Sequence, residues 1–155
     1  MKKTRYILWI AAVEFVGIVS SLLSRQGMMI YRETVRKPPL TPPGIVFSIV
    51  WTILYALMAI GAARVAASPD SPQRQKAMNE FIIQLVLNFF WSMIFFNVRS
   101  YGYALLWLVI LWMFVTRMVC AFRTVDRTAA RIQIPYLAWV TFAVYLNYGV
   151  WLLNP

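Results

Sequence analysis

Residues 37–58 read KPPLTPPGIVFSIVWTILYALM and join a proline-rich loop to the start of an apolar helix. The proline pairs at 38–39 and 42–43 fix φ, remove backbone donors and push the preceding residues toward extended geometry. We therefore expect a stiff strap, followed by a helix that Thr41 caps and whose first turn holds the second proline pair. Large side chains then recur at helical spacing on one face, at Phe47, Trp51, Tyr55 and Met58. The stripe is typical of an interfacial anchor with ordinary helix packing, or of a binding wall.

Composition defines the class of protein. The chain has 155 residues, of which 61% are apolar and 13% are charged, with a mean hydropathy of +0.66. A soluble domain carries roughly a quarter charged residues, so we predict an all-α integral membrane protein, one domain spanning residues 1–155. The net charge of +10 lies between the apolar runs, where it acts as a topology signal and lipid anchor and not as a nucleic-acid surface.

The residue types present limit the chemistry. Cys120 is the single cysteine, which excludes an internal disulfide. The chain has no histidine, so it lacks the commonest metal and haem ligand and the usual general base. We predict no metal site and no required cofactor.

Five spans are predicted, joined by a 19-residue first loop at 25–43 that we expect to be ordered, with a short helix on the bundle mouth. The polar segment SPDSPQRQK is predicted to be a surface loop, and Pro135 can kink the last span. Ten basic residues lie on the side of the N-terminus and five on the other, which predicts a cytoplasmic N-terminus. The predicted helices cover about 6–24, 44–67, 77–98, 103–122 and 128–153.

Glu14 lies inside the first span. An acid in a membrane helix is a functional candidate by default. Two further interpretations stay open, because Glu14 can be protonated or can pair with an arginine such as Arg117 on another helix.

Two further stripes combine aromatic and amide side chains. One runs through Gln84, Asn88, Trp91 and Phe95, and the other through Tyr136, Trp139, Ala143 and Asn147. Carboxamides deep in a span need protein or ligand partners, because lipid offers none. These carboxamides can form hydrogen bonds between helices, worth about 0.6 kcal/mol each, or they can contact a ligand. Both interpretations are open.

The order of these residues is similar to that of a known family. The first stretch holds Tyr31, Lys37-Pro38, Pro42-Pro43, Phe47, Trp51 and Leu54-Tyr55; the second Gln84, Asn88, Trp91-Ser92 and Phe95-Phe96; the third Pro135-Tyr136-Leu137, Trp139, Phe142-Ala143 and Leu146-Asn147. On five spans, this combination resembles the tryptophan-rich sensory protein family, which includes the mitochondrial translocator protein or peripheral benzodiazepine receptor. The resemblance covers nearly the whole chain.

The resemblance implies a five-helix bundle with the first loop folded over a pocket. Family pockets bind porphyrins and haem, and in animal members benzodiazepine-type drugs and cholesterol; members are often homodimers. Bacterial members are linked to tetrapyrrole and stress signalling, and some promote light-dependent breakdown of protoporphyrin. Trp51 and Trp139 match the pocket tryptophans implicated in that chemistry.

The chain departs from the family pattern in the strap. Ile30-Tyr31 stands where many members have Trp-Tyr, and Leu40 where many have Trp, so the lid is less aromatic. No basic residue follows Tyr148, so the proposed cholesterol motif is incomplete. We do not expect sterol binding.

The predicted site combines aromatic faces for a flat macrocycle with a few polar groups that orient it. Basic strap residues are expected to meet its propionates, and haem would bind by its face without tight axial ligation. The expected ligand-binding residues are Tyr31, Pro42, Phe47, Trp51, Tyr55, Gln84, Asn88, Trp91, Phe95, Tyr136, Trp139, Ala143 and Asn147, with the basic residues Arg32, Arg36 and Lys37.

Three functions fit these residues. The first is a receptor or sensor for porphyrin or haem in a bacterial cell membrane, with lipids and a second copy of the chain as partners and no nucleic acid. The second is a carrier for porphyrins or related amphiphiles, proton-linked through Glu14. The third is light-dependent porphyrin degradation by Trp51 and Trp139, since no conventional catalytic constellation is visible.

Overall fold

The computed structural model describes residues 2–155, and every regular element in that range is helical. Five helical segments are long and apolar enough to cross a membrane, which confirms the predicted all-α membrane bundle. The helices are α1 (Lys2–Leu23), α2 (Arg25–Thr34), α3 (Gly44–Ala66), α4 (Pro72–Ser92, continued by a π-helical turn over Met93–Val98), α5 (Tyr101–Val125), α6 (Arg127–Arg131) and α7 (Ile134–Leu153).

Successive spans run in opposite directions, so the connections divide between two ends of the bundle. The strap end holds α2, the proline-rich strap (residues 35–43), the turn at 99–100 and the end of α7. The N-terminal end holds the start of α1, the loop at 67–71 and α6. Helix α5 packs against α4 and α7, and α1 packs mainly against α3.

Small residues bring α1 close to its neighbours. A Cβ at Gly17 would lie 2.5 Å from Cε2 of Tyr55 on α3, so a larger residue there would displace the Tyr55 ring. Ser20 Oγ donates a hydrogen bond of 2.9 Å to the carbonyl oxygen of Phe89 on α4. Gly17 therefore brings α1 against α3, and Ser20 adds a polar contact to α4.

The helix start expected at Thr41 was wrong. Helix α3 begins at Gly44, with Pro43 at the N-cap position and no side-chain cap. Thr41 Oγ1 instead donates to the carbonyl oxygen of Pro38 at 2.7 Å, a bond that closes the strap on itself. Leu40 between the proline pairs has φ 69°. This left-handed conformation is incompatible with a right-handed helix, so the helix begins only after it.

Several helix boundaries differ from the sequence prediction, and α1 already begins at Lys2 instead of near residue 6. Helix α4 begins at Pro72 and not near 77, because Ser71 Oγ accepts the Arg74 N–H at 3.1 Å and a proline suits the first helical position. The last span is not one helix: α6 ends at Arg131, and α7 begins at Ile134 with Pro135 in its first turn. The polar segment after α3 is therefore partly helical, and the expected kink is a break.

An ion pair between α4 and α5 was not predicted. Arg117 donates from Nε and Nη2 to Glu80 Oε1, at 3.1 and 2.6 Å. The Glu80 side chain is only 5% exposed, whereas that of Arg117 is 59% exposed. The proposed pairing of Glu14 with Arg117 was therefore wrong. Both partners of the actual pair lie in apolar spans, and that was the signal available in the sequence.

Asp126 fastens the N-terminal end of the bundle. Its Oδ1 caps α6 by accepting the N–H groups of Thr128 and Ala129 at 2.8 and 2.9 Å. Its Oδ2 lies 2.8 Å from Nη2 of Arg64 at the end of α3. Burial alone would raise the pKa of Asp126, but these backbone hydrogen bonds and the Arg64 guanidinium hold it below its usual value.

We expect Asp126→Ala to lower the free energy of unfolding at neutral pH by about 1–2 kcal/mol, because it removes an N-cap and an ion pair. A carboxylate whose folded pKa is depressed stabilises the protein above its unfolded pKa, and this contribution is lost as the pH falls through the folded pKa. Thermal unfolding in detergent at pH 7 and in acid measures both effects. Asp126→Asn, which keeps a capping side chain, should lose less at pH 7 and show a weaker acid dependence. Equal stability of all three proteins at pH 7 would contradict the assignment.

Candidate ligand-binding site

A buried network of tyrosines and amides joins α3, α4 and α7. Tyr55 Oη donates to Asn88 Oδ1 at 2.9 Å, and Asn88 Nδ2 donates to Tyr136 Oη at 2.7 Å. Tyr136 Oη in turn donates to Gln84 Oε1 at 2.7 Å, and Gln84 Nε2 makes a long contact of 3.7 Å to Met58 Sδ. The four hydrogen-bonding side chains are at least nine-tenths buried. Both amides therefore face the bundle interior, as the absence of partners in lipid requires.

An aromatic wall lies between this network and the strap. The Trp51 ring packs 5.6 Å from the Tyr55 ring and 6.3 Å from the Tyr136 ring. Phe47, one turn nearer the strap, meets Trp139 of α7 edge-on at 5.6 Å. The aromatic wall (Phe47, Trp51 and Trp139) thus places the predicted tryptophans of α3 and α7 in one region of the bundle.

A second aromatic group, on α4 and its π-helical turn, supports α2. Trp91 stacks on Phe95 at 5.1 Å, and Tyr31 of α2 packs edge-on against Phe95 at 5.4 Å. Trp91 Nε1 donates to Asn147 Oδ1 at 3.2 Å, and Asn147 Nδ2 donates to the carbonyl oxygen of Tyr101 at 2.9 Å. Tyr31, Trp91, Phe95 and Asn147 therefore form a cluster apart from the aromatic wall, in which the Trp91 N–H and the Asn147 amide have partners.

One buried donor in the aromatic wall has no partner among residues 2–155. The indole Nε1 of Trp139 is buried and makes no hydrogen bond there. Buried tryptophan N–H groups usually find an acceptor, and an unsatisfied buried donor costs about 1–3 kcal/mol. Trp139 therefore presents an N–H group suited to an acceptor atom supplied from outside the chain.

The strap is held against the end of α7. Asn154 Oδ1 accepts the Arg36 N–H at 3.1 Å, and Asn154 Nδ2 donates to the Arg36 carbonyl oxygen at 2.8 Å. Tyr145 Oη donates to the Pro39 carbonyl oxygen at 3.0 Å. A Cβ at Gly149 would lie 2.5 Å from Cβ of Pro38, so the glycine lets the strap lie on α7. Sequence reasoning missed these strap contacts because each joins distant parts of the chain.

The basic residues of this end have different roles. The Lys37 Nζ donates to the carbonyl oxygens of Tyr31, Arg32 and Val35 at 3.1–3.2 Å, which uses its three donors at the end of α2. It also lies 4.8 Å from the centre of the Tyr31 ring. Burial, with a smaller effect of Tyr101, raises the pKa of Tyr31 to about 12, so that phenol is neutral at ordinary pH. Arg32 near the end of α2 and Arg36 in the strap are exposed cations.

The remaining predicted residues are Ala143 and Pro42. Ala143 is buried on α7 between Trp139 and Asn147, and Pro42 is half-buried in the strap. The structure brings the predicted residues into three adjoining groups: the polar network with Tyr55, Gln84, Asn88 and Tyr136; the aromatic wall; and the α2 cluster with Tyr31, Trp91, Phe95 and Asn147. Contributors that were not predicted as site residues are Met58, Phe142, Tyr145 and Asn154.

The fold and this interior define a multi-pass helical membrane protein with an aromatic, amide-lined core beneath an ordered strap. Comparison with known proteins gives the family: residues 9–152 match the TspO/MBR family, and the chain belongs to it.

The chain is also similar to named relatives over most of their lengths. The chain is 36% identical over 141 residues to the tryptophan-rich protein TspO of Chlorobaculum tepidum, covering 90% of this chain and 89% of the relative. It is 36% identical over 122 residues to the tryptophan-rich sensory protein of Cereibacter sphaeroides, covering 79% and 75%. It is 34% identical over 139 residues to the human translocator protein, covering 88% and 80%. The resemblance drawn from the residues alone is thereby confirmed.

Proposed function

We propose that this protein is a membrane receptor that binds porphyrin-type tetrapyrroles, protoporphyrin or haem, at the aromatic wall beneath the strap, and that binding reports tetrapyrrole or stress status. The observation that carries the proposal is the Trp139 indole. Its buried, unpaired N–H lies in an aromatic wall beside a polar network whose hydrogen bonds are otherwise made. A flat aromatic ligand with acceptor atoms would stack on this wall and accept the hydrogen bond of the Trp139 N–H.

Binding requires the wall to open between α3 and α7. Phe47 and Trp139 meet edge-on across these helices, and few other contacts join them directly. Separating the two rings exposes the Trp51 and Trp139 faces, between which a macrocycle gains dispersion and apolar burial. The tyrosine and amide network below forms the floor, because its groups bond one another.

We expect Arg32 and Arg36 to contact the propionates, because the Lys37 ammonium already donates to three carbonyl oxygens at the end of α2. Haem is expected to bind by its face, because the chain has no histidine and the Met58 sulfur already meets Gln84. We further propose that the protein is a homodimer in a bacterial cell membrane, as the family resemblance implies. The ten basic residues of the N-terminal end, against five at the strap end, favour a cytoplasmic N-terminus.

The test is a titration of the purified protein in the dark with protoporphyrin, haem and a sterol, followed by tryptophan fluorescence. We expect saturable quenching by both tetrapyrroles and none by the sterol. Absence of saturable quenching by either tetrapyrrole would overturn the proposal. A pH-dependent porphyrin flux into liposomes that is lost in Glu14→Gln would show that the protein is a carrier and not a receptor.

Light-dependent degradation is a second candidate, favoured by the convergence of Trp51 and Trp139 on one wall. An indole beside a photoexcited porphyrin can donate an electron, and a phenyl ring is much harder to oxidise. We expect Trp51→Phe to keep dark affinity within about threefold, because an aromatic face remains. Trp139→Phe also keeps an aromatic face but lacks the indole N–H, so it should bind about fivefold more weakly. Both variants should slow porphyrin bleaching under fixed illumination. Bleaching of wild type no faster than free porphyrin in detergent, or wild-type rates in both variants, would remove this candidate.

A further inference from the structure

An open cleft of about 710 Å³ lies at the strap end, apart from the aromatic wall. It is bounded by the end of α2, the turn at 99–100, the first turns of α5 and the end of α7. Lining side chains include those of Thr34, Arg99, Tyr103, Leu106, Trp151 and Asn154. Neither the family resemblance nor the interior site accounts for this cleft.

The cleft has a cationic side. Arg99 is exposed, and it forms no ion pair within residues 2–155. Its backbone has φ 56°, a left-handed conformation that places a charged residue in the tight turn between the π-helical segment and α5. Of the acidic side chains, only Glu33 lies at the strap end, against five basic residues. Among the side chains that line the cleft, Arg99 alone is charged, so that side of the cleft offers a charge-assisted contact to an anion.

The other side of the cleft is aromatic and apolar. Trp151, Tyr103 and Leu106 are 44%, 74% and 58% exposed. Tryptophan and tyrosine rings at the end of a membrane span are typical of the headgroup level, and α5 enters the apolar region from this point. Leu106, one turn further along α5, continues the cleft toward the acyl chains. A ligand that fits is anionic at one end and apolar at the other.

We propose that this cleft binds one anionic phospholipid, with its phosphate on Arg99 and its glycerol and first acyl carbons along Trp151 and Leu106. The N-terminus of α5 adds to the attraction, since Ser100 at its N-cap makes no side-chain capping bond and helix N-termini favour anions. A lipid satisfies the charge and the apolar wall together, whereas a free phosphate satisfies only the charge.

Asn154 connects the cleft to the strap. It lines the cleft and also holds Arg36 through two hydrogen bonds. A lipid in the cleft therefore lies against the residue that fastens the strap to α7, and it should slow amide exchange of the strap.

The test uses the full chain in a neutral detergent, with bound lipids counted by native mass spectrometry during titration with phosphatidylglycerol or with phosphatidylcholine of equal chain length. We expect one phosphatidylglycerol to bind about tenfold more tightly than phosphatidylcholine, as a charge-assisted contact predicts. Arg99→Asn should abolish the preference, since asparagine tolerates the left-handed turn while removing the charge. Arg25→Asn, which removes a cation of the same end outside the cleft, should keep it.

A second pair of variants guards against misfolding. Thr34→Glu should abolish the preference by repulsion, whereas Thr34→Gln should retain it. Equal binding of the two lipids by wild type, or equal loss in the Arg25 and Arg99 variants, would overturn the proposal. Binding of glycerol 3-phosphate as tight as that of phosphatidylglycerol would overturn the assignment to a lipid.

Discussion

Arg117→Leu is expected to lower the free energy of unfolding in detergent by about 2–3 kcal/mol. The substitution leaves the Glu80 carboxylate, 5% exposed, without its partner, and removing one member of a buried pair strands a charge in a region of low dielectric. Glu80 Oε2 is already buried without a hydrogen bond among residues 2–155. This effect is smaller than the roughly 3–5 kcal/mol lost when a fully buried pair is broken, because Arg117 itself is more than half exposed.

The control is a double variant. Glu80→Gln combined with Arg117→Leu should recover much of the loss, because an apolar or neutral replacement of both partners avoids the stranded charge. Arg123→Leu, which removes an exposed cation of the same helix, should change stability by less than about 0.5 kcal/mol. Equal effects of Arg117→Leu and Arg123→Leu in thermal or denaturant unfolding would show that the Glu80–Arg117 ion pair does not stabilise the fold.

The interior of the bundle was predictable because lipid restricts what a span can carry. Two amides at helical spacing must face protein, and they do, in bonds to Tyr55 and Tyr136. The identity of those bonds was not predictable, because helical period gives the face of each helix but not its neighbour or its rotation. The sequence left two roles open for these amides, hydrogen bonding between helices and ligand binding. The hydrogen bonds between helices are present. The unpaired N–H of Trp139 lies beside them.

The helix ends were the least predictable part of the fold. Thr41, a residue type common at N-caps, closes the strap because Leu40 turns the chain first. Ser71 caps α4 inside a segment whose polarity indicated a loop. In both places a single local hydrogen bond decided the boundary, and residue preference alone does not choose between competing partners.

The Glu80 pair shows a different limit. Glu14 attracted attention because it lies in the middle of an apolar run, and Arg117 was its candidate partner. Glu80 lies near the start of the predicted third span, four residues after Lys76, and it was not considered as a partner. The early beginning of α4 at Pro72 carries Glu80 two turns into the bundle, where α5 presents Arg117.

Trp51→Ala and Trp139→Ala are expected to weaken dark binding of protoporphyrin by at least tenfold each. Each substitution removes an aromatic face from the wall beneath the strap, and the Trp139 variant also removes the unpaired indole donor. Loss of one indole face of about 80 Å² corresponds to roughly 2 kcal/mol of apolar contact. The aromatic contact energy adds to this.

The most direct test of the proposed site is the dissociation constant of protoporphyrin in the dark for wild type, Trp51→Ala, Trp139→Ala and Trp112→Ala. Porphyrin absorbance should be the readout, because the variants differ in tryptophan fluorescence. Trp112 lies on α5 with its N–H bonded to Thr141 on the outer surface, so its variant should bind within about twofold of wild type. Thermal unfolding confirms that each variant is folded. We predict that Trp51→Ala and Trp139→Ala each lose tenfold or more in affinity for protoporphyrin, whereas Trp112→Ala does not. Wild-type affinity in both wall variants, with the fold intact, would contradict the proposed site.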